Sequence, residues 1–455
     1  MNLKLLLLLL CLVATPGWSI LPLPYPLTPI SEELEAPDRS TRDPKSIEGY
    51  LRLHQGSKAR EMELPSFESQ PGALGYDEST FKAAGSLKNR IDFWKKIYAE
   101  YTRSNVVIHD TKYPWIIYEV VDVSEIQNND SLSERRKRRL IHRFIKPFKK
   151  KVKEKLLFLH THRDDPLNIP VDLFPIFKAF GEVTEKHKFL MATQRIRSQS
   201  GQREAIVQGF FYGGRYFSKM MEIFERKRLP KEITRLPLVE SAFDIRARSK
   251  VGASGVWQFM PSTGKRYLRI DRLVDERNDP LSATWAASDL LQKNYEVLGS
   301  WPLAITAYNH GRAGMQRAKR SLNTDDLATI IDRYQSRTFG FASSNFYACF
   351  LAILDVEREY RKYFGKLMVD SPIEYEEFLI GDHVQFDEMA DVCGVDREEL
   401  AMLNLALTDR VLTGKYPVPP GYRLKVPPGK SERCQSGYIN VTKMDTNSNR
   451  SISSK

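Results

Sequence analysis

The spacing of apolar residues predicts a helix near residue 90 and strands after it. One face of the helix is formed by apolar residues at intervals of four and three: Leu87, Ile91, Trp94, Tyr98 and Tyr101. Residues 106–108 and 115–123 are rich in β-branched and aromatic residues, which is typical of strands. This part of the chain therefore mixes helix and strand.

A long helical region follows, and a smaller unit comes after it. The helical pattern extends from about Gln202 to Phe364, and Pro230 and Pro302 suit the first turns of helices. Residues 373–428 have the pattern of a short strand, two helices and a second short strand. The region before 84 is rich in proline, serine and charge, and it predicts an irregular leader.

These patterns divide the 455 residues into six segments. In chain order they are a signal peptide (1–19), an irregular leader or linker (20–84), an α+β accessory region (85–200), a helical domain (201–366), a small βααβ unit (373–428) and a polar tail (429–455). With 42% apolar and 28% charged residues, the composition excludes a disordered or collagen-like chain.

The first nineteen residues have the features of a secretory signal. Lys4 precedes an apolar run, and Gly17 and Ser19 place small residues before a cleavage point at Ile20. Cys11 follows Leu10 rather than a small residue, so we do not expect a lipoprotein. We expect an exported protein of the periplasm or cell envelope, and an uncleaved membrane anchor remains an alternative.

The net charge of +12 is concentrated in residues 131–155, which contain 12 Lys/Arg and 2 Asp/Glu and thus carry ten of the net charges. One interpretation is a solvated charged helix. The other is a surface that docks on anionic cell-wall polymer or on phospholipid headgroups. The export signal and the lack of a nucleic-acid-binding module argue against nucleic acid as a partner.

The cysteine count is too small for a disulfide scaffold. After signal cleavage Cys349, Cys393 and Cys434 remain, which is an odd number. One pair, such as Cys393 with Cys434, could oxidise outside the cytoplasm, and the sequence alone does not establish it.

Glu240 is the first candidate for chemistry. It follows an apolar helical run and precedes Ala242 and Phe243. Burial in such surroundings raises the pKa of a carboxyl, and a carboxyl that stays protonated near neutral pH can act as a general acid. By itself the pattern is more often that of a residue at a helix end or in an ion pair.

A turn of small residues follows and leads into an aromatic and amide cluster, Ser249 to Pro261. Gly252 and Gly255 let the backbone approach a ligand closely, and Gln258 can donate and accept hydrogen bonds. Trp257 and Phe259 offer flat apolar faces for sugar rings, with core packing as an equal alternative. Tyr308, near the end of an apolar helical run, could direct its hydroxyl into a cleft or lie in the core.

These motifs together resemble the lysozyme-like domain of soluble and membrane-bound lytic murein transglycosylases, and most of all the transglycosylase D group. Over residues 203–320 the shared features are the Glu240-Ser241 pair, the run from Gly252 to Pro261, and Ala-Tyr-Asn-x-Gly at 307–311. The resemblance implies a mainly α, goose-type lysozyme-like catalytic domain. Asp244-Ile245 departs from the Asn-Pro or Asp-Pro that is common in the family at the turn after the Glu-Ser pair.

The resemblance also implies the roles of the site residues. Glu240 would be the single acid and then base that cleaves the MurNAc–GlcNAc bond of peptidoglycan glycan strands and leaves 1,6-anhydroMurNAc ends. Ser249 and Gln258 would contact substrate, Met260 would line the cleft, and Tyr308 would orient the carboxyl. Asp244, the nearest second carboxylate in sequence, is interpreted as a turn residue.

The chemistry so implied needs no cofactor and no metal. His160 and His162, with Asp164 and Asp165 after them, could suggest a metal site. The two imidazoles would share a face if residues 156–162 were a strand, but no third ligand set at a known spacing follows. We therefore expect no metal site.

Residues 373–428 resemble a divergent LysM, a small glycan-binding module, with Gly381-Asp382 at the usual turn and Pro420 to Pro427 as the closing strand. A purely structural appendage is the alternative. For the whole chain, the alternatives are a hydrolysing muramidase on the same fold and a non-catalytic peptidoglycan-binding protein. The sequence leaves the oligomeric state open.

Overall fold

The structure is a computed structural model that describes residues 59–62, 76–181 and 183–440. The predicted signal peptide and most of the predicted leader lie outside the described residues. The described residues are mainly helical, which confirms the predicted fold class. None of their helices is both long enough and apolar enough to cross a bilayer.

The helices and strands have the following bounds. The α-helices are α1 (Leu87–Lys95), α2 (Ser124–Gln127), α3 (Glu134–Thr161), α4 (Phe174–Ala179), α5 (Lys188–Ala192), α6 (Arg203–Gly214), α7 (Phe217–Arg226), α8 (Leu236–Ser241), α9 (Pro261–Gly264), α10 (Pro280–Leu298), α11 (Trp301–His310), α12 (Arg312–Leu322), α13 (Leu327–Arg333), α14 (Phe341–Arg358), α15 (Tyr360–Phe364), α16 (Phe386–Cys393), α17 (Arg397–Leu403) and α18 (Asp409–Leu412). A π-helical turn covers Lys96–Glu100, and 3₁₀ turns cover Pro166–Asn168, Lys231–Arg235 and Glu276–Asn278. The strands are β1 (Arg60–Glu61), β2 (Asn105–Asp110), β3 (Ile117–Asp122), β4 (Ile196–Ser200), β5 (Met368–Val369), β6 (Glu376–Leu379) and β7 (Arg423–Val426).

The largest core is built around α14, most of whose residues are buried. Helix α1 packs into this same core, because Leu87, Ile91 and Trp94 are all buried there. The buried amide oxygen of Asn345 in α14 accepts hydrogen bonds from the Arg90 guanidinium (3.2 Å) and the Trp94 indole (3.1 Å). Helix α1 is therefore structurally part of the helical domain, although the sequence analysis grouped it with the accessory region.

The accessory unit proper begins after α1. Its antiparallel sheet has the strand order β3-β2-β4, and α3 packs on it through buried residues at helical spacing, Ile145, Val152, Leu156 and Leu159. His160 lies inside α3, so the strand that would have aligned the two histidines is not formed. The buried Asp110 accepts hydrogen bonds from Tyr118 and Arg195, which joins β2 to β3 and β4.

The C-terminal unit pairs β6 with β7 in antiparallel register and places α16 and α17 between them in sequence. Residues 431–440 are helical, and Cys434 in this segment forms a disulfide with Cys393 of α16. Their polar composition predicts a tail. The disulfide and the packing of Tyr438 against Phe378 hold them on the unit instead.

The predicted leader is also partly ordered. Arg60–Glu61 pairs with β5, the neighbouring Met62 is buried, and Phe81 lies fully inside the main core. The low hydrophobic content of residues 20–84 concealed these few anchoring positions.

Candidate active site

Glu240 lies on the short helix α8, in the middle of the main core. Its neighbours Leu238 and Val239 are buried, whereas the Glu240 side chain is partly accessible to solvent. The helix ends at Ser241, because Ala242 after it has a left-handed backbone conformation (φ 49°). Glu240 is thus held in the last turn of a helix surrounded by apolar side chains.

Both ends of α8 are fixed by polar contacts. Arg235, just before the helix, forms a buried ion pair with Glu357 of α14 (2.8 Å). The Ser241 hydroxyl lies 3.1 Å from the carbonyl oxygen of Pro237 and 3.0 Å from that of Val256. The serine of the Glu-Ser pair therefore connects the helix to the loop that carries the other candidate residues.

The electrostatic environment of Glu240 favours its protonated form. Burial raises the pKa of Glu240 from an ordinary 4.5 to about 8, because the surrounding protein replaces the water that would solvate the charge. Desolvation alone accounts for this shift, so no charged side chain among the described residues adds to it appreciably. At neutral pH the carboxyl holds a proton that it can donate.

The side chains at the end of the loop of residues 247–260 fall into two sets that differ in burial. Trp257 and Phe259 are buried, whereas Gln258 and Met260 between and after them are only half-buried. The Trp257 indole donates to Thr284 (2.9 Å), and its ring stacks on Phe224. The two aromatics therefore belong to the core, which decides between the alternatives that the sequence left open.

Gln258 is held by its own loop. Its side-chain nitrogen donates to the carbonyl oxygens of Gly255 (2.7 Å) and Ala247 (3.2 Å). Ser249 closes the start of the loop, because its hydroxyl oxygen accepts from the backbone N–H of Ala253 (2.9 Å). The donor group of Gln258 is thus used inside the loop.

Tyr308 connects α11 to the same loop. Its hydroxyl donates to the carbonyl oxygen of Trp257 (2.8 Å), beside Gln258, and its ring stacks on Phe346. Burial, and in second place the charge of Glu240, raises the pKa of Tyr308 well above its ordinary value. The tyrosine is therefore near the carboxyl and is uncharged.

The backbone is strained in this region. Ala242, Phe243 and Gln258 all have positive φ values, between 49° and 55°, which non-glycine residues adopt at a cost of about 1–3 kcal/mol each. Phe243 is fully buried, and its N–H donates to the carbonyl oxygen of Pro237 (3.0 Å). Such strain is typical of functional sites, where the surrounding structure maintains it.

Asp244 stabilises the turn that follows α8 by accepting two hydrogen bonds. Its carboxylate accepts from the backbone N–H of Arg246 (2.9 Å), and its carbonyl oxygen accepts from Ala247. The departure from the family pattern at Asp244-Ile245 thus still gives a closed turn.

Two residues near Glu240 were not found from the sequence. Tyr98, in the π-helical turn, hydrogen-bonds with the thiol of Cys349 in α14, and both side chains are buried. Burial is the main reason why the pKa values of both groups lie well above their ordinary range, and the charge of Glu240 contributes to each shift. The helical spacing marked Tyr98 only as a core position, because a π-helical turn has no recognisable sequence signal.

Comparison with known proteins adds the family to this geometry. Residues 220–331 match the family model described as the transglycosylase SLT domain. The chain carries a transglycosylase SLT domain. Glu240, Ser249, Gln258, Met260 and Tyr308 all lie within the SLT domain, whereas Tyr98 and Cys349 lie outside its matched residues.

The chain is also similar to curated proteins. The chain is 28% identical over 196 residues to the membrane-bound lytic murein transglycosylase D of Escherichia coli strain K12, which is 42% of this chain and 43% of that protein. It is 37% identical over 98 residues to a protein named for tributyltin chloride resistance from Alteromonas sp. strain M-1, which is 21% of this chain and 46% of that protein. The chain thus spans less than half the length of these relatives.

Proposed function

We propose that this chain is an exported peptidoglycan lytic transglycosylase. It cleaves the β-1,4 bond between MurNAc and GlcNAc and leaves a 1,6-anhydroMurNAc end. The observation that carries the proposal is the pKa of about 8 of Glu240, inside an SLT domain, on a side chain that solvent still reaches. A neutral carboxyl in that position is a suitable general acid.

A single carboxylate supports the intramolecular reaction. The two carboxylates of an ordinary glycosidase lie about 5 to 10 Å apart, and the charge of one raises the pKa of the other. No charged side chain among the described residues contributes to the raised pKa of Glu240, and Asp244 is engaged by the turn. We infer that the nucleophile is supplied by the substrate, as the resemblance to lytic transglycosylases implies.

The reaction proceeds in two proton transfers through Glu240. The neutral carboxyl donates its proton to the glycosidic oxygen as the bond to the anomeric carbon of MurNAc breaks, with assistance from the N-acetyl oxygen of that sugar. The C6 hydroxyl of the same sugar then attacks the anomeric carbon, and the Glu240 carboxylate takes the hydroxyl proton. Glu240 is regenerated and no water is consumed.

The other site residues would act on the substrate. The amide oxygen of Gln258 accepts from a hydroxyl or N-acetyl N–H of the glycan, and Ser249 contacts the strand at the start of the loop. Met260, half-buried at the end of the loop, contributes an apolar wall. The Tyr308 hydroxyl donates to the carbonyl oxygen of Trp257 and so holds the loop of residues 247–260 in position relative to the Glu240 carboxyl.

Digestion of purified sacculi tests the proposal. The protein lacking residues 1–19 is compared with Glu240→Gln and with the matched control Asp244→Asn, and the fragments are analysed by mass. We expect fragments one water lighter than hydrolysis products from the parent protein and the control. We expect the rate to fall by about 10²–10⁴-fold in Glu240→Gln, which is the usual contribution of a general acid and base.

Other outcomes assign other functions. Reducing-end fragments would identify a hydrolysing muramidase. Sacculi that are bound but not cut by any of the three proteins would identify a non-catalytic binding protein.

An envelope location is part of the proposal. The disulfide between Cys393 and Cys434 supports it, since such bonds persist in oxidising compartments outside the cytoplasm. The relative in Escherichia coli is called membrane-bound. Thiol alkylation with and without reductant measures the bond, and one alkylated site rising to three on reduction is the expected result.

We also propose that α3 docks the protein on an anionic phospholipid surface. The helix exposes eight basic side chains: Arg135, Arg136, Arg139, Arg143, Lys146, Lys150, Lys151 and Lys153. Phe144 and Leu157 on the same helix are 43% and 40% exposed, and Leu167 and Val171 just beyond it are 97% and 90% exposed. Apolar side chains beside the cations fit a lipid interface better than a purely polar cell-wall polymer.

Vesicle sedimentation tests this docking surface. Substitution of Arg136, Arg139 and Arg143 by glutamine should weaken binding to phosphatidylglycerol vesicles by about 100-fold, at about 1 kcal/mol for each cation near the surface. Glutamine at Arg320, Lys366 and Lys415, which are exposed elsewhere, is the control for net charge. Equal loss in both triple variants, or binding to isolated cell-wall polymer alone, would exclude the lipid surface.

A further inference from the structure

The C-terminal unit is joined to the SLT domain along residues 272–275. Val274 pairs with Leu407 as an isolated bridge, and the N–H of Asp275 donates to the carbonyl oxygen of Ala406 (2.7 Å). Thr408 donates to the carbonyl oxygens of Leu273 and Arg272, both at 3.0 Å. Val274 is buried in the core of the C-terminal unit, so a segment of the SLT domain completes that core.

A buried ion pair makes a second connection. The Lys425 ammonium on β7 lies 2.6 Å from one carboxylate oxygen of Asp279. The other oxygen of Asp279 accepts from the backbone N–H groups of Leu281 and Ser282 and so caps α10. The backbone of Lys425 is fixed in turn, because the Asn404 side chain bonds to both its N–H and its carbonyl oxygen.

Residues 275–278 lie between these two connections. They bond to residues 249–260, the active-site loop. The Arg277 guanidinium donates to the carbonyl oxygens of Gly252 (2.8 Å) and Phe259 (3.1 Å), near the two ends of the loop. Asp275 orients the guanidinium with two hydrogen bonds of 2.8 Å. Ser254 donates to the side chain of Asn278 (2.7 Å).

The two segments are in direct backbone contact. A Cβ atom on Gly255 would lie 1.8 Å from the carbonyl oxygen of Arg277, so only glycine fits there. The glycine that the sequence suggested for the approach of a ligand is thus used for the approach of residues 275–278.

We propose that the C-terminal unit is a brace for the active-site loop, in which Lys425 is a positioning residue that acts through Asp279 and the 275–278 segment. The unit holds residues 249–260 in place from within the molecule, and its effect on catalysis rests on the proposed function of the site.

The physical reason is the environment of the pair. Removal of the ammonium leaves the Asp279 carboxylate buried without its partner, which is a strongly destabilising situation. The carboxylate would be driven towards solvent and would displace the start of α10 together with the adjoining 275–278 segment. Arg277 would then lose its alignment with the loop carbonyls.

Hydrogen–deuterium exchange of the full chain tests the brace without any substrate. We compare Lys425→Met with Lys425→Arg, which retains the charge, and with Arg423→Met, an exposed cation on the same strand. Exchange within residues 249–260 should be about tenfold faster in Lys425→Met, corresponding to about 1.4 kcal/mol, and near the parent rate in Arg423→Met. Lys425→Arg should restore most of the protection.

The residues in which exchange becomes faster decide whether the C-terminal unit supports the loop. Faster exchange confined to residues 373–440, or no change in the loop, would overturn the proposal and make the unit an independent module. If Lys425→Met does not fold, Lys425→Met with Asp279→Asn is used, because it removes both charges and keeps an oxygen to cap α10. A smaller acceleration of exchange in residues 249–260 is then expected, because the bond between β7 and α10 is lost but no unpaired carboxylate is left to displace α10. Exchange at the parent rate in these residues would overturn the proposal.

Kinetics provide the second readout. KM for soluble glycan fragments should rise about tenfold in Lys425→Met, since Ser249 and Gln258 lie on the loop, while Arg423→Met keeps the parent KM. A change in kcat alone, with KM unaltered, would contradict loop positioning. Inactivity of the parent protein would contradict the proposed function and leave the exchange experiment to decide on the brace.

Discussion

The position of Glu240 suits its proposed role as a general acid but lowers the stability of the folded protein. The carboxyl is surrounded by apolar side chains, and desolvation raises its pKa to about 8. In the unfolded chain the same group ionises near its ordinary value. Between these two pH values, the folded protein retains a proton that the unfolded chain releases, so that its stability declines as the pH rises.

The Glu240→Gln variant should therefore be more stable than the parent protein in a pH-dependent manner. At pH 4 the carboxyl is protonated in both states and the two proteins should unfold alike. At pH 8 the variant should gain about 1–3 kcal/mol, a range that allows for the partial access of solvent to the side chain.

Urea unfolding at pH 4, 6 and 8 measures this difference, with Glu225→Gln as an exposed control on α7. The control should show no such dependence on pH. A gain in Glu240→Gln that is constant across the range would mean that desolvation of the carboxyl is not its source.

At the scale of elements, the active-site loop is defined by its contact with the 275–278 segment. This contact explains why glycine is required at position 255, where a Cβ would overlap the Arg277 carbonyl. Gly299 offers a comparison, because it has a similar φ (78° against 75°) and open space around it. A comparison of the two positions distinguishes the free-energy cost of a positive φ from the free-energy cost of the close approach to Arg277.

Gly255→Ala should lower the free energy of unfolding more than Gly299→Ala. The φ value alone costs about 1–2 kcal/mol in each. Gly255→Ala adds an overlap in a packed region, for which a further loss of about 1–3 kcal/mol is typical. Thermal unfolding of both variants gives the comparison, and equal losses would show that the two segments separate without cost.

The sequence was informative about single residues and less so about which elements share a core. The linked motifs around Glu240, Gln258 and Tyr308 predicted the site, because their spacing is specific and local. The partners of these residues, among them Tyr98 and Arg277, could not be predicted in the same way. Tyr98 lies near Glu240 because of a π-helical turn, and Arg277 bonds to the loop through a tertiary contact. Neither feature produces a periodic pattern in the sequence.

At the scale of the whole molecule, the helical domain is discontinuous in sequence. Helix α1 packs on α14, and the accessory sheet is inserted between α1 and α6. Apolar periodicity predicts that α1 is a helix, but it does not say against which core the helix packs. For this reason the boundary predicted at residue 201 does not coincide with the limit of the core.

Truncation should reveal this discontinuity. Residues 201–440 alone should lack a cooperative thermal transition, because Asn345 would lose Arg90 and Trp94 and the apolar face of α14 would be exposed. Residues 76–440, with 106–199 replaced by a short glycine linker, should retain one. The join is feasible because Gly201 adjoins the backbone of Tyr101. Cooperative unfolding of 201–440 would refute the assignment of α1 to this core.

The pairing of Trp94 and Arg90 with Asn345 also has a consequence for the order of folding. Trp94 lies 251 positions before Asn345 in the chain, and Arg90 lies 255 positions before it. During synthesis α1 emerges long before its partner exists, and the accessory sheet can close in the interval because its strands are nearer in sequence. Loop-closure entropy and high contact order then make the docking of α1 a late and slow event. Until that event, the apolar face of α1 is exposed to other chains, and the helical domain is the last part of the molecule to complete its fold.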